Sequence, residues 1–372
     1  MRYFDHNATH PLSAAARAAW LEATERFIGN PSSPHRIGAR ADAALMEARE
    51  KLAGWLGCEP LEIVWTSGAT EANNTAVQHL SALPGEAWVS AIEHPCLLAA
   101  TRRCFAERHR LIPVGRDGAV DPEWVGAALG KSKPAFVAVL AVNNETGVLQ
   151  PWREIAGLCR AKGVPFLGDA AQWVGRLPAR GLGEGEFVSG CAHKCGGPQG
   201  VGFLKCPADL RPLLLGGAQE EGRRAGTENV AGVLAMVAAF EERERVLADG
   251  ATLSERLQWR GEFERELTAA LPGAAVVGAG AERLWNTVSA ILPEARDCRQ
   301  RWVVKLDKLG FAVSTGSACA SGKEEPSQVL AAMGYSAAEA GRVLRFSSGW
   351  ETTRDDWRAL LDGVLQAARE LA

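Results

Sequence analysis

Short apolar runs of β type alternate with amphipathic helical stretches through the first two-thirds of this sequence, and no other feature constrains the fold as much. The expected strands are Glu62–Thr66, Trp88–Ile92, Ala135–Val142, Pro165–Gly168, Phe187–Ala192 and Val201–Lys205. Helical patterns fall between them at Arg40–Leu56, Glu71–Leu80 and Trp152–Lys162, the last opened by Pro151, a favourable first-turn residue. This alternation predicts an α/β domain on a mainly parallel sheet, with ligands held at the carboxyl ends of the strands. From Ala251 the pattern changes to a long helix (Leu253–Leu271), a strand (Thr287–Leu292), a further helix, a glycine-rich loop and a closing helix from Thr353. The expected division is a large domain over 14–252 and a smaller α+β domain formed by 1–13 and 253–372.

The bulk numbers narrow the function classes. A net charge of -3 over 372 residues gives no basic excess for nucleic acid or an anionic membrane. No apolar run reaches membrane-spanning length, and Met1–Asp5 has no signal-peptide core, so the expected location is cytoplasmic. Nine cysteines scattered over a long chain are not a disulfide framework, and most are expected to be buried thiols.

Five segments at strand ends or in loops carry candidate chemistry. In Ser189-Gly190-Cys191-Ala192-His193-Lys194-Cys195-Gly196-Gly197, a lysine just past a strand can project its amine into a cleft and form a Schiff base. It could equally be a surface lysine. Alternating Cys191, His193 and Cys195 suit a tetrahedral metal ion poorly, and no metal site is expected. Asp169, closing Val164–Leu167, could keep a pyridine nitrogen protonated or simply cap a helix. Thr66-Ser67-Gly68-Ala69-Thr70-Glu71 reads as an anion site at a helix N-terminus or as a plain capping box. His94 follows another strand and could stack on a ring and move protons.

The loop Ser314–Gly322 surrounds Cys319 with small residues and almost no apolar cover. A nucleophile on a loop is packaged that way, a core cysteine is not. Arg345 interrupts the apolar strand Val343–Ser347. A buried guanidinium requires a carboxylate, which an amino-acid substrate would supply.

In this order the segments resemble the NifS/IscS-type cysteine desulfurases of the class V aminotransferase family, which are pyridoxal-phosphate enzymes of fold type I with a mainly parallel seven-stranded sheet. The likeness runs from Tyr3-Phe4-Asp5-His6-Asn7-Ala8-Thr9 to Thr352-Thr353. It includes Gly29-Asn30-Pro31-Ser32-Ser33, Val142-Asn143-Asn144-Glu145-Thr146-Gly147 and Arg224-Ala225-Gly226-Thr227-Glu228-Asn229. The resemblance implies that Lys194 carries pyridoxal 5'-phosphate, Asp169 holds its pyridine nitrogen, Gln172 meets the ring hydroxyl, and His94 stacks on the ring as acid and base. It implies that Ala69, Thr70, Cys191 and His193 hold the phosphate, with Thr227 reaching it from the other subunit of a homodimer. Asn144, Arg345 and Asn7 would bind the carboxylate of L-cysteine. Cys319 would accept the sulfur as a persulfide, releasing alanine, and pass it to an acceptor protein, iron–sulfur cluster assembly being one destination.

Three departures stand out. Cys191 replaces the family's phosphate-binding serine, and a thiol is the weaker donor. The aromatic residue usual after the lysine is missing. The docking tail of many assembly members is absent after the last helix, which puts the usual scaffold partner in doubt. The alternatives are a selenocysteine lyase, an aminotransferase, against which the Cys319 loop speaks, or a non-catalytic sulfur carrier.

Overall fold

In the computed structural model, which describes residues 1–294, 298–316 and 327–371, the alternating runs build one central sheet. A short strand, β1 (Arg2–Tyr3), precedes it. The sheet strands are β2 (Ile63–Thr66), β3 (Ala87–Ser90), β4 (His109–Ile112), β5 (Phe136–Ala138), β6 (Phe166–Asp169), β7 (Phe187–Cys191) and β8 (Gly202–Lys205). Their order across the sheet is β2-β8-β7-β6-β5-β3-β4. All run parallel except β8, which is antiparallel to both its neighbours.

Alternate residues of each strand feed two apolar layers. Ile63, Trp65, Val137, Phe166, Val188 and Phe203 pack on one face of the sheet. Val64, Val89, Ala138, Leu167, Phe187 and Leu204 pack on the other. Burial on both faces is what makes parallel strands read as continuous apolar runs. β4 was not expected from the sequence. It is an edge strand bonded only to β3, and its Arg110 and Leu111 are exposed, so it has no apolar run to read. The run at 135–142 is ordered as strand only over Phe136–Ala138.

Helices α1 (Ala14–Arg26), α2 (Arg36–Leu56), α3 (Ala69–Leu80), α4 (Pro95–Phe105), α5 (Pro122–Leu129), α6 (Trp152–Ala161) and α7 (Val230–Leu247) accompany the sheet. After α8 (Gly250–Ala270) come the strands β9 (Ala275–Val276) and β10 (Thr287–Ile291), then α9 (Cys298–Lys308) and the strand β11 (Phe311–Ala312). The short helices α10 (Gln328–Ala332) and α11 (Ala337–Ala340), the strand β12 (Val343–Ser347) and the helix α12 (Arg354–Leu371) complete the order. β9, β10 and β12 form an antiparallel sheet in the order β12-β10-β9. Phe263, Leu267, Trp302, Phe346, Trp357 and Leu360 pack into one cluster beside it. The N-terminal segment joins this part of the molecule, with β1 parallel to β11 and Asp5 bridged to Ser347.

Candidate active site

Because β2, β3, β5, β6 and β7 run the same way, their last residues line one carboxyl edge of the sheet, where Gly202 opens β8. The turn after β2 starts α3, His94 follows β3, and Asp169 closes β6. Lys194 follows β7 on a single 3-10 turn, Ala192–Lys194.

Lys194 Nζ donates to the carbonyl oxygens of Asn7 at 2.5 Å and Ala8 at 2.7 Å. Asp169 is 7% exposed. Its Oδ2 accepts from Asn73 Nδ2 at 2.8 Å and its Oδ1 from the backbone N–H of Ala171 at 2.9 Å. The carboxylate thus stabilises its own turn and also meets a buried amide, a pairing the sequence did not reveal. His94 caps α4, its Nδ1 accepting from the backbone N–H of Cys96 at 3.2 Å. Burial lowers its pKa, the Lys194 charge adds to that, and Asp169 opposes it, so the ring is neutral at pH 7.

The start of α3 has the form of an anion cradle. Gly68 precedes it at φ 149° with no side-chain cap, which leaves first-turn N–H groups for a ligand. A Cβ at Gly202 would come within 2.6 Å of Gly68 Cα and 2.5 Å of the Gly190 carbonyl oxygen, so only glycine permits this approach. The buried sulfur of Cys191 receives the Ala69 N–H, and burial pushes its thiol up to about 11. His193 lies 3.4 Å from Thr9 Oγ1. Its pKa falls to about 4 through burial, then through the charges of Lys194 and Arg176. Thr70, at the exposed start of the helix, completes the set.

Arg345 is 1% exposed. Its Nη2 pairs with Asp5 Oδ1 at 2.7 Å. Its Nη1 donates to the Asn144 carbonyl at 2.9 Å and to the Gly316 carbonyl at 3.2 Å. The carboxylate that the sequence predicts for this arginine is therefore already present in the chain, as Asp5. One donor is left over, since Arg345 Nε is buried without a hydrogen-bond partner among the described residues. The Asn7 amide is engaged by the Asn144 carbonyl at 3.1 Å, Thr287 Oγ1 at 2.9 Å and Asn286 Nδ2 at 3.2 Å, so its side chain braces the site. Gln172 Nε2 donates to the Asn7 carbonyl at 3.0 Å, and its Oε1 accepts from Arg176.

Thr227 is exposed. Upstream, Glu220 and Glu221 adopt left-handed φ values of 51° and 56°, a conformation costly for residues with a Cβ. The turn is held by buried Glu220, which takes two 3.0 Å bonds from Arg49 and one from the Trp65 N–H. Arg224 Nε beyond it donates to Glu71 Oε1 at 2.9 Å. Cys319 lies outside the described residues. Both flanks of that segment are fixed at the site: Gly316 by Arg345, and Ser327 by Glu145, whose Oε2 accepts from Ser327 Oγ at 2.5 Å.

Behind His94, Glu93 Oε1 accepts from Ser90 Oγ and the Leu140 N–H, each at 2.7 Å, while Oε2 is buried without a partner among the described residues. Burial raises its pKa from 4.5 to about 8, with Asp169 adding to the rise. The folded state therefore binds a proton that the unfolded chain has released. This contribution to stability is complete below the unfolded value of 4.5 and is lost progressively as pH rises to about 8. Glu93→Gln keeps the neutral shape, so its melting temperature is expected to gain on the parent's as pH increases from neutrality to about 8. A thermal-melt series against pH checks this; a constant difference between the two proteins contradicts it.

The aminotransferase class-V family profile matches residues 2–360. The chain is 39% identical over 351 residues to a protein of Klebsiella pneumoniae named cysteine desulfurase, covering 93% of this chain and 87% of that one. Its fold is similar to a solved NifS-like protein, with a TM-score of 0.89 at 27% identity over 100% of both chains. It is also similar to SspA solved in complex with cysteine, with a TM-score of 0.80 at 27% identity over 93% of this chain and 98% of that one.

Proposed function

Because this chain belongs to the aminotransferase class-V family, we propose that it is a cysteine desulfurase, which uses pyridoxal phosphate to take sulfur from L-cysteine and passes it on from a persulfide on Cys319. The observation that carries the reading is the convergence of Lys194, Asp169 and His94 at one edge of the sheet with the capless start of α3. An amine, a carboxylate, a neutral ring and an anion cradle are the four features that pyridoxal phosphate requires of its site, so the residues present fit it.

In this reading α3 and His193 would hold the phosphate, Asp169 the pyridine nitrogen and Lys194 the aldehyde carbon. The bound cofactor supplies an electron sink at the substrate's α-carbon. Lys194 would be the base that takes up the α-proton at Nζ. The Asn7 and Ala8 carbonyls hold the amine in place. Arg345 Nε, buried and unpaired among the described residues, offers the substrate carboxylate a charge-assisted bond beside Asn144. Neutral His94 would offer its ring face to the cofactor and one N–H as a hydrogen-bond donor to the reacting atoms. Cys319 follows Gly316 by three residues, a reach of at most about 11 Å, and Gly316 touches Arg345. That proximity favours the thiol as sulfur acceptor over an aminotransferase reading.

The active unit in this proposal is a homodimer. Thr227 is exposed, and Leu214, whose carbonyl accepts from the Ala225 N–H, and Leu215 are 41% and 83% exposed beside it, an apolar strip suited to a second copy. The acceptor is a separate protein. No helix among the described residues is long and apolar enough to cross a membrane.

Mass spectrometry after incubation with cysteine tests the reading. One added sulfur on Cys319, together with a borohydride-fixed cofactor on Lys194, is the expected result. Sulfide release with neither mark rejects it.

A further inference from the structure

Pro95 at the first position of α4 lacks an N–H, so Cys96 supplies the first backbone donor of that helix, and it goes to His94 Nδ1. A cap of this kind needs only the backbone. The Cys96 side chain adds something further. Its Sγ lies 3.0 Å from the same His94 Nδ1 and 3.5 Å from Asn73 Nδ2. The Thr70 side chain also reaches the sulfur. Asn73 is fully buried, and the same Nδ2 donates to Asp169 Oδ2 at 2.8 Å.

The donor and acceptor roles are set by chemistry. An amide nitrogen only donates, so Asn73 gives one N–H to Asp169 and the other to the sulfur. His94 Nδ1 already receives a backbone N–H and must be an acceptor, so the thiol hydrogen points to it. Burial pushes the Cys96 thiol up to about 12, with Asp169 next among the causes, so the sulfur keeps the proton it donates. The charges facing His94 are Asp169 and Lys194, and Glu93 faces Cys96.

We propose that Cys96 is a positioning residue that holds His94 as its Nε2–H tautomer and links it, through Asn73, to the carboxylate of Asp169. The inference rests on the reading of Asp169 and His94 as the groups that flank the cofactor ring. Both the thiol and the backbone N–H oppose protonation at Nδ1, so the ring keeps its single proton on Nε2. The sulfur lies at the crossing point of the cofactor-facing set, touching α3, Asn73 and His94 together.

The test compares the parent holoprotein with Cys96→Ala and Cys96→Ser, each labelled with 15N-histidine. Long-range proton–nitrogen correlations across a pH series report the tautomer and pKa of His94. In Cys96→Ala the pKa is expected to rise by about one unit and the second tautomer to appear, because one of two donors to Nδ1 is gone. The turnover number falls about tenfold with KM for cysteine nearly unchanged. Cys96→Ser, whose hydroxyl makes the same bonds, recovers most of both. A parent tautomer and pKa in Cys96→Ala overturn the proposal, and so does a shift that serine does not reverse, since packing alone would explain it. Borohydride labelling of Lys194 is run on every variant. Its absence from the parent defeats the cofactor reading and leaves the His94 measurement, which needs only the folded chain, to stand by itself.

Discussion

Cys319→Ala is expected to lose sulfide release from cysteine by at least about a thousandfold, the scale on which removing a covalent nucleophile acts, while the protein stays yellow. The two halves of this result have separate causes. Colour depends on the amine of Lys194 and on the carboxylate and cradle around it. Sulfur transfer needs a thiolate that can reach the substrate sulfur, and the fixed position of Gly316 against Arg345 limits that reach to a short span of chain. The other cysteines described at the site are poor substitutes. Burial pushes Cys191 up to about 11 and Cys96 and Cys195 up to about 12, which keeps them protonated and weakly nucleophilic. The check is sulfide and alanine release measured beside the visible spectrum. An alanine variant that desulfurates at the parent rate removes Cys319 from the mechanism.

Lys194→Ala is expected to lose the borohydride-fixed label altogether and activity by at least about a thousandfold. Here the amine has a structural task as well. Its bonds to the Asn7 and Ala8 carbonyls tie the N-terminal segment to the strand that ends at the site. The Asn7 carbonyl keeps its bond from Gln172, but leaving the Ala8 carbonyl without the lysine donor costs about 1–3 kcal/mol, so the melting temperature of the cofactor-free variant should fall as well. Lys194→Arg keeps a donor for both carbonyls and cannot attach the cofactor. Recovery of the melting temperature without recovery of the label separates the two tasks. If Lys194→Ala keeps both label and turnover, another amine carries the cofactor.

How legible all this is in the sequence depends on the distance between partners. Asp169 and Lys194 can be found because one ends and the other closely follows a strand whose apolar run is plain, and the edge of a parallel sheet turns such ends into a shared site. The anion cradle is legible through Gly68 and the small residues after it. The pairing of Asn73 with Asp169 gave no signal, since the two are 96 residues apart and only the fold brings them together. The same holds for Asp5, whose partner Arg345 is 340 residues distant. The sequence showed that Arg345 needs a carboxylate and pointed to the substrate. Arg176, buried against Gln172 and the His6 carbonyl, has no flanking pattern to mark it. β4 escaped notice for a different reason: an edge strand with one free side can be polar.

The N-terminal segment has a consequence for how the protein is made. Asn7 is held by Thr287, Asn286 and Ser347, Asp5 by Arg345, and Arg2 pairs with Phe311. Residues of this segment thus find their partners 279 to 340 positions later in the chain. At ~5–20 residues per second, they wait on the order of tens of seconds for the strand that receives them. Until then the carbonyls that fix Lys194 have no set position, even if the central sheet has already formed. Loading of the cofactor into a finished pocket is therefore expected to follow translation, and a nascent chain stalled before β12 should present a folded sheet that does not yet colour.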